Sequence, residues 1–189
     1  MAAAPVLPPT PSQTVGPFYG YALPFAGGGD IAPAGHPDTV TVHGYVRDGN
    51  GAPVPDAIVE TWQAAPDGSL AGRPGSLRRD PVTGGFLGRN GVDFTGFGRV
   101  ATDADGHWAV RTLVPPARTP YLAVCVFARG LMHHLHTRAY FTDDVREGPL
   151  ADLPEPRRGT LLATPEPDGA RRFDIHLQGK RETVFLDFR

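Results

Sequence analysis

Three histidines, His133, His134 and His136, stand almost side by side and are the first residues of this chain able to do chemistry. On a strand, His134 and His136 point to one face, and imidazole is a common metal ligand. No carboxylate stands at a fitting spacing, so the preferred reading is of surface or interface histidines beside Arg129 and Arg138. Arg129 is the second candidate. It follows an apolar run in Phe127-Ala128-Arg129-Gly130, and an Arg held at a strand end can grip a carboxylate through two hydrogen bonds. The alternative is a structural ion pair with a core acid such as Glu60. Glu60 shares a strand face with Ile58 and Trp62, which favours a buried, paired carboxylate. The single Cys125 excludes an internal disulfide and any cysteine-based zinc site. It reads as a core residue, as do Trp62 and Trp108. Gly27-Gly28-Gly29 follows no strand, no Gly-rich loop carries a Lys, and no Gly-x-Ser-x-Gly elbow occurs.

The elements that must position these groups are short. Gly and Pro number 24 and 21 of 189 residues, a density that breaks long helices and marks turns. Val40, Val42 and Val46 alternate with Thr41, His43 and Tyr45, the pattern of a half-buried strand, and Asp48-Gly49-Asn50-Gly51 closes it with a turn. Further β-like runs are Ala57 to Gln63, Trp108 to Thr112, Leu122 to Phe127, His136 to Phe141, Phe173 to Leu177 and Val184 to Phe188. About eight short strands with turn punctuation predict a mainly β fold: a single-domain β-sandwich with long loops and little helix. The segment 72–98 reads as a Gly/Arg-rich loop, and a short helix is expected near 144–147.

Net charge is −2, which leaves no electrostatic footprint for nucleic acid. All basic charge but Lys180 is Arg. No run of 18 apolar residues occurs, so no membrane span is expected. The N-terminus lacks a basic region and is interrupted by Pro5, Pro8, Pro9 and Pro11, so a cytoplasmic location is expected. No charged side chain precedes Asp30. Disordered tails are usually charged, whereas this one is apolar and aromatic, with Phe18, Tyr19, Tyr21 and Phe25. It is expected to lie against a surface. Residues 1–37 are read as an N-terminal extension that docks on a partner chain, and residues 38–189 as the sandwich.

Several stretches together carry a resemblance. They are Thr10 to Phe18, Gly44-Tyr45-Val46-Arg47-Asp48, Val59-Glu60-Thr61-Trp62-Gln63, Phe97 to Asp103, Phe127-Ala128-Arg129-Gly130, Leu135 to Phe141 and Glu182 to Phe188. From about Pro11 onward the chain resembles the intradiol ring-cleaving dioxygenases. Within them it is most similar to the alpha chains of the two-chain enzymes that act on protocatechuate (3,4-dihydroxybenzoate). The resemblance implies a β-sandwich and a ferric ion held by two Tyr and two His, donors that suit a hard cation. The four matching positions here are Leu70, Arg118, Tyr121 and Ala123, so only Tyr121 could supply a ligand atom.

By the same resemblance Fe(3+) belongs on a homologous beta chain, and no metal is expected on this one. The alpha chain would line the partner's pocket with Thr14, Gly16, Pro17 and Arg129 as substrate-binding residues and contribute no catalytic residue. The implied partners are the iron-binding beta chain, a small aromatic substrate and O2, in a higher-order alpha-beta oligomer. The implied reaction is cleavage of protocatechuate to 3-carboxy-cis,cis-muconate in the β-ketoadipate route. Two other readings stand beside it: a non-catalytic prealbumin-like binding module, and a metalloenzyme built on His133, His134 and His136.

Overall fold

The alternation read in the first valine-rich segment becomes strand β1 (Thr39–Arg47), where every second residue points inward and Val42 and Val46 are fully buried. In the computed structural model, which describes residues 16, 19–72, 77–89 and 91–188, the strands that follow are β2 (Ile58–Trp62), β3 (Leu77–Arg79), β4 (Phe86–Arg89), β5 (Phe97–Ala101), β6 (His107–Leu113), β7 (Tyr121–Phe127) and β8 (Leu135–Tyr140), then the short β9 (Thr164–Pro165), β10 (Arg171–Arg172) and β11 (Ile175–His176). One sheet is built on β1, antiparallel to β6 and parallel to β10 and β11, with β9 beside β10. The other runs β5-β2-β7-β8 and is antiparallel throughout. Strands β3 and β4 form a separate hairpin. This is the expected sandwich, with little helix.

The inner faces of both sheets supply the core. Val42 and Val110 face each other across β1 and β6, and Leu122, Val124 and Val126 project from β7. Trp108 is 1% exposed and belongs to the same cluster. Gln63 and Thr112 are two of the buried polar residues among those described. The Thr112 hydroxyl donates to Gln63 Oε1 at 2.6 Å, and Gln63 Nε2 donates to the Leu113 carbonyl at 2.9 Å. Their buried polar atoms are therefore satisfied across the two sheets. Gly44 sits where β1 meets the chain at Phe173: a Cβ there would lie 1.9 Å from the Phe173 carbonyl oxygen. Only glycine allows that approach.

The segment before β1 is fastened to the sandwich. Ile31 is fully buried in the main core. Its amide donates to the Arg111 carbonyl, and its own carbonyl accepts from Thr95. Tyr19 is buried and Phe25 stacks on Phe86 at 5.5 Å. The stretch 1–37 thus contains a part that packs on its own chain.

Four expectations need correction. Segment 72–98 holds the β3–β4 hairpin and the start of β5, because Phe86 and Phe97 each find an aromatic neighbour. The helix expected near 144–147 forms later, as α1 (Pro149–Asp152) and α2 (Glu155–Arg158), each with Pro in its first turn. The last expected strand is reduced to one bridge, Leu186 opposite His136. Trp62, expected in the core, is 49% exposed, since it projects from β2 on the face away from the core.

Candidate functional site

The outer face of the β5-β2-β7-β8 sheet gathers chemistry that a sandwich normally spends on solvent. Register sets it. Arg99 on β5 stands opposite Glu60 on β2, Glu60 opposite Cys125 on β7, and Cys125 opposite His136 on β8. Side chains alternate along each strand, so these four share one outward row. Arg99 Nε donates to Glu60 Oε1 at 2.6 Å, with both side chains mostly buried. Glu60 is therefore paired as expected, and its partner is Arg99. Cys125 is a correction: it lies outside the core cluster, half-buried on the outer face.

A cavity of about 430 Å³ opens over this row, lined by Glu60, Trp62, Tyr121, Cys125, His134, His136 and neighbours. Burial, and then the charge of Glu60, push the Cys125 thiol up to about 12. Burial, and then the neighbouring His134, hold His136 below its ordinary value. The two imidazoles meet edge to face at 4.7 Å. Among the described residues, Cys125, His134 and His136 are a group whose ligand atoms all lie within 4.8 Å of one another. His133 is not part of it. The sequence reading weighed Cys125 and the histidines separately, because no single segment shows that they meet.

The four positions implied for a ferric ion do not fit one. Tyr121 and Ala123 line the same cavity, but Leu70 and Arg118 are exposed and are not among its walls. Leu70 and Ala123 carry no donor atom, and the Arg118 guanidinium is a cation that would repel iron. The Tyr121 ring is covered by the Arg138 guanidinium at 4.2 Å and packs on Tyr140 at 5.1 Å.

Arg129 lies elsewhere, in the turn that follows β7. Ala128 anchors the turn in the core, and Gly130 completes it at φ +87°. Arg129 Nε donates to Asp56 Oδ2 at 2.6 Å while its side chain stays 77% exposed. The Tyr19 hydroxyl donates to the Asp56 carbonyl oxygen and also contacts the Arg129 backbone. Burial, and then Asp56, raise the Tyr19 hydroxyl above its ordinary value. Tyr19 lies within the 1–37 segment, so this contact ties that segment to the Arg129 turn. Of the expected substrate-binding residues, Gly16 has φ +74° with open space around it, while Thr14 and Pro17 lie outside the described residues.

Sequence reasoning missed Cys125, Asp56 and Tyr19 as site residues. Strand alternation could have placed Cys125 on the face of Glu60, since both occupy the outward parity of adjacent strands. Nothing in the local pattern marks Asp56 as the partner of Arg129.

The comparisons with known proteins agree with this architecture. The family model described as "Dioxygenase" matches residues 16–141. The protocatechuate 3,4-dioxygenase alpha chain of Pseudomonas putida is 36% identical, over 97% of this chain and 98% of its own length. The alpha chain of the same name from Burkholderia cepacia is 38% identical, over 94% and 96%. Among solved structures, the dioxygenase domain of a dioxygenase carbohydrate-binding fusion from Streptomyces sp. SirexAA-E is 25% identical at a TM-score of 0.55, covering 91% of this chain and 99% of that one. The sandwich, the matched region and the near full-length similarity together establish that this chain belongs to the intradiol ring-cleavage dioxygenase family, alongside the protocatechuate 3,4-dioxygenase alpha chains.

Proposed function

We propose that this chain is the iron-free alpha subunit of a heteromeric intradiol dioxygenase. In this reading a homologous beta chain carries the ferric ion, and the assembled enzyme cleaves protocatechuate with O2. Both oxygen atoms enter the product, which opens between the two hydroxyl-bearing carbons to 3-carboxy-cis,cis-muconate. The enzyme serves aromatic breakdown by the β-ketoadipate route in the cytoplasm.

The observation that carries this reading is the donor set. A chain that spans nearly the whole length of its alpha-chain relatives offers Leu70, Arg118 and Ala123 at positions that the family resemblance assigns to iron ligands. The chain's own share is binding and orientation. Thr14, Gly16 and Pro17 form one wall of the partner's pocket, with Gly16 already in a backbone conformation that favours glycine. Arg129 supplies positive charge for the substrate carboxylate. The Tyr19–Asp56–Arg129 contacts support the pairing of these two walls. In this reading the N-terminal extension, residues 1–37, docks on the partner chain. Exposed Trp62, Leu70 and Phe188 support a face covered in a larger assembly.

Co-expression with the homologous chain tests the reading. The expected result is a stable complex that oxidises protocatechuate, with activity absent from this chain alone. Robust turnover by the isolated chain would overturn it.

A further inference from the structure

We propose that Cys125, His134 and His136 form a binding site for a borderline-soft divalent cation of the Zn2+ type, with a fourth coordination position open to the cavity above the β5-β2-β7-β8 sheet. This inference stands independently of the subunit assignment.

Three observations carry it. The donors come from two adjacent antiparallel strands, with Cys125 and His136 directly opposed in register and His134 just before β8 on the same face. Their ligand atoms lie within 4.8 Å of one another. A tetrahedral Zn2+ with ordinary Zn–S and Zn–N lengths needs S···N separations of about 3.5 Å, so the donors must draw together by no more than about 1.3 Å. The donors also front a cavity of about 430 Å³, which leaves room for a water or other ligand at the fourth position.

The donor types select the ion. One thiolate and two imidazoles suit Zn2+ or a neighbouring late transition metal, whereas ferric ion and Mg2+ favour oxygen. On binding, the Cys125 S–H bond breaks and its proton leaves to solvent. An S–Zn bond forms, and each imidazole donates one nitrogen lone pair. The site gains one net positive charge per ion bound. Glu60, opposite Cys125 on β2, places a carboxylate beside that charge. Among the described residues, the His136 ring also packs on the His134 ring and on the Phe188 ring at 5.4 Å.

The test is titration of the full-length chain with Co2+ as a spectroscopic probe and then Zn2+. One equivalent of Co2+ should give a thiolate-to-cobalt charge-transfer band with tetrahedral d–d absorption, both abolished by Zn2+. Cys125→Ser should abolish the charge-transfer band. His136→Gln, a second variant less exposed to folding defects, should weaken Zn2+ binding by about 100-fold. His133→Gln should leave binding unchanged. Absence of the charge-transfer band in the wild-type chain overturns the proposal, as does Zn2+ affinity indifferent to both Cys125→Ser and His136→Gln. Loss of binding in His133→Gln with retention in His136→Gln overturns it as well.

Discussion

Arg129→Ala in the co-assembled complex separates a substrate contact from a structural ion pair. The Arg129 side chain is 77% exposed in this chain, and its recorded partner is Asp56 at 2.6 Å. An ion pair that open to solvent contributes at most about 1 kcal/mol to folding, so the variant should fold and assemble. A charge-assisted hydrogen bond to a buried substrate carboxylate contributes roughly 1.5–3 kcal/mol. That range corresponds to about a 10- to 150-fold rise in KM for protocatechuate. Because the carboxylate is remote from the bonds that change, the loss falls on ground and transition states alike, and kcat should change little. Catechol lacks the carboxylate and supplies the control: its KM should be the same for wild type and variant. Steady-state oxygen uptake with both substrates makes the measurement. An unchanged KM for protocatechuate, or an equal loss for catechol, refutes the assignment and leaves Arg129 as the holder of Asp56.

Other expectations concern the scaffold. Gly44→Ala places a Cβ 1.9 Å from the Phe173 carbonyl oxygen; it should cost about 3 kcal/mol or more, read as a lower urea midpoint. Glu60→Ala strips Arg99 of its 2.6 Å partner; a loss of about 1–3 kcal/mol is expected, part of it restored by adding Arg99→Met. His176 is held below its ordinary value by burial and then by Arg181. The unfolded chain therefore takes up that proton first as pH falls, and stability present above about pH 6.5 is lost below it. His176→Gln should flatten this slope in urea melts between pH 8 and pH 5.

Much of the fold was legible because its signals are local. The alternation at Val40, Val42 and Val46 and the apolar run Leu122 to Phe127 state both strand and inward face within a few residues. The β3–β4 hairpin was not legible, since its hydrophobic period is too short to separate from a loop. The C-terminal run Val184 to Phe188 alternates as a strand should, yet among the described residues it bridges only at Leu186, opposite His136, and Phe188 stays exposed. Gly28 shows the same limit. The Gly27-Gly28-Gly29 run carries no motif in the sequence, whereas a Cβ at Gly28 would lie 2.1 Å from the Arg99 carbonyl oxygen, so its smallness serves a close approach. The candidate site divides in the same way. Arg129 was visible from its position after a strand, and the pairing of Glu60 from its face. The Arg99–Glu60–Cys125–His136 row depends on the register of four strands, which no single segment encodes.

The central claim is that this chain belongs to an iron-using family without holding the iron itself. It is tested most directly by adding Fe(3+) and protocatechuate to the purified, isolated chain. The account predicts no ferric–catecholate absorption beyond that of the free mixture, and no high-spin ferric resonance that co-purifies with the protein. A stoichiometric ferric signal on the isolated chain, shifted by protocatechuate and accompanied by ring cleavage, would contradict it.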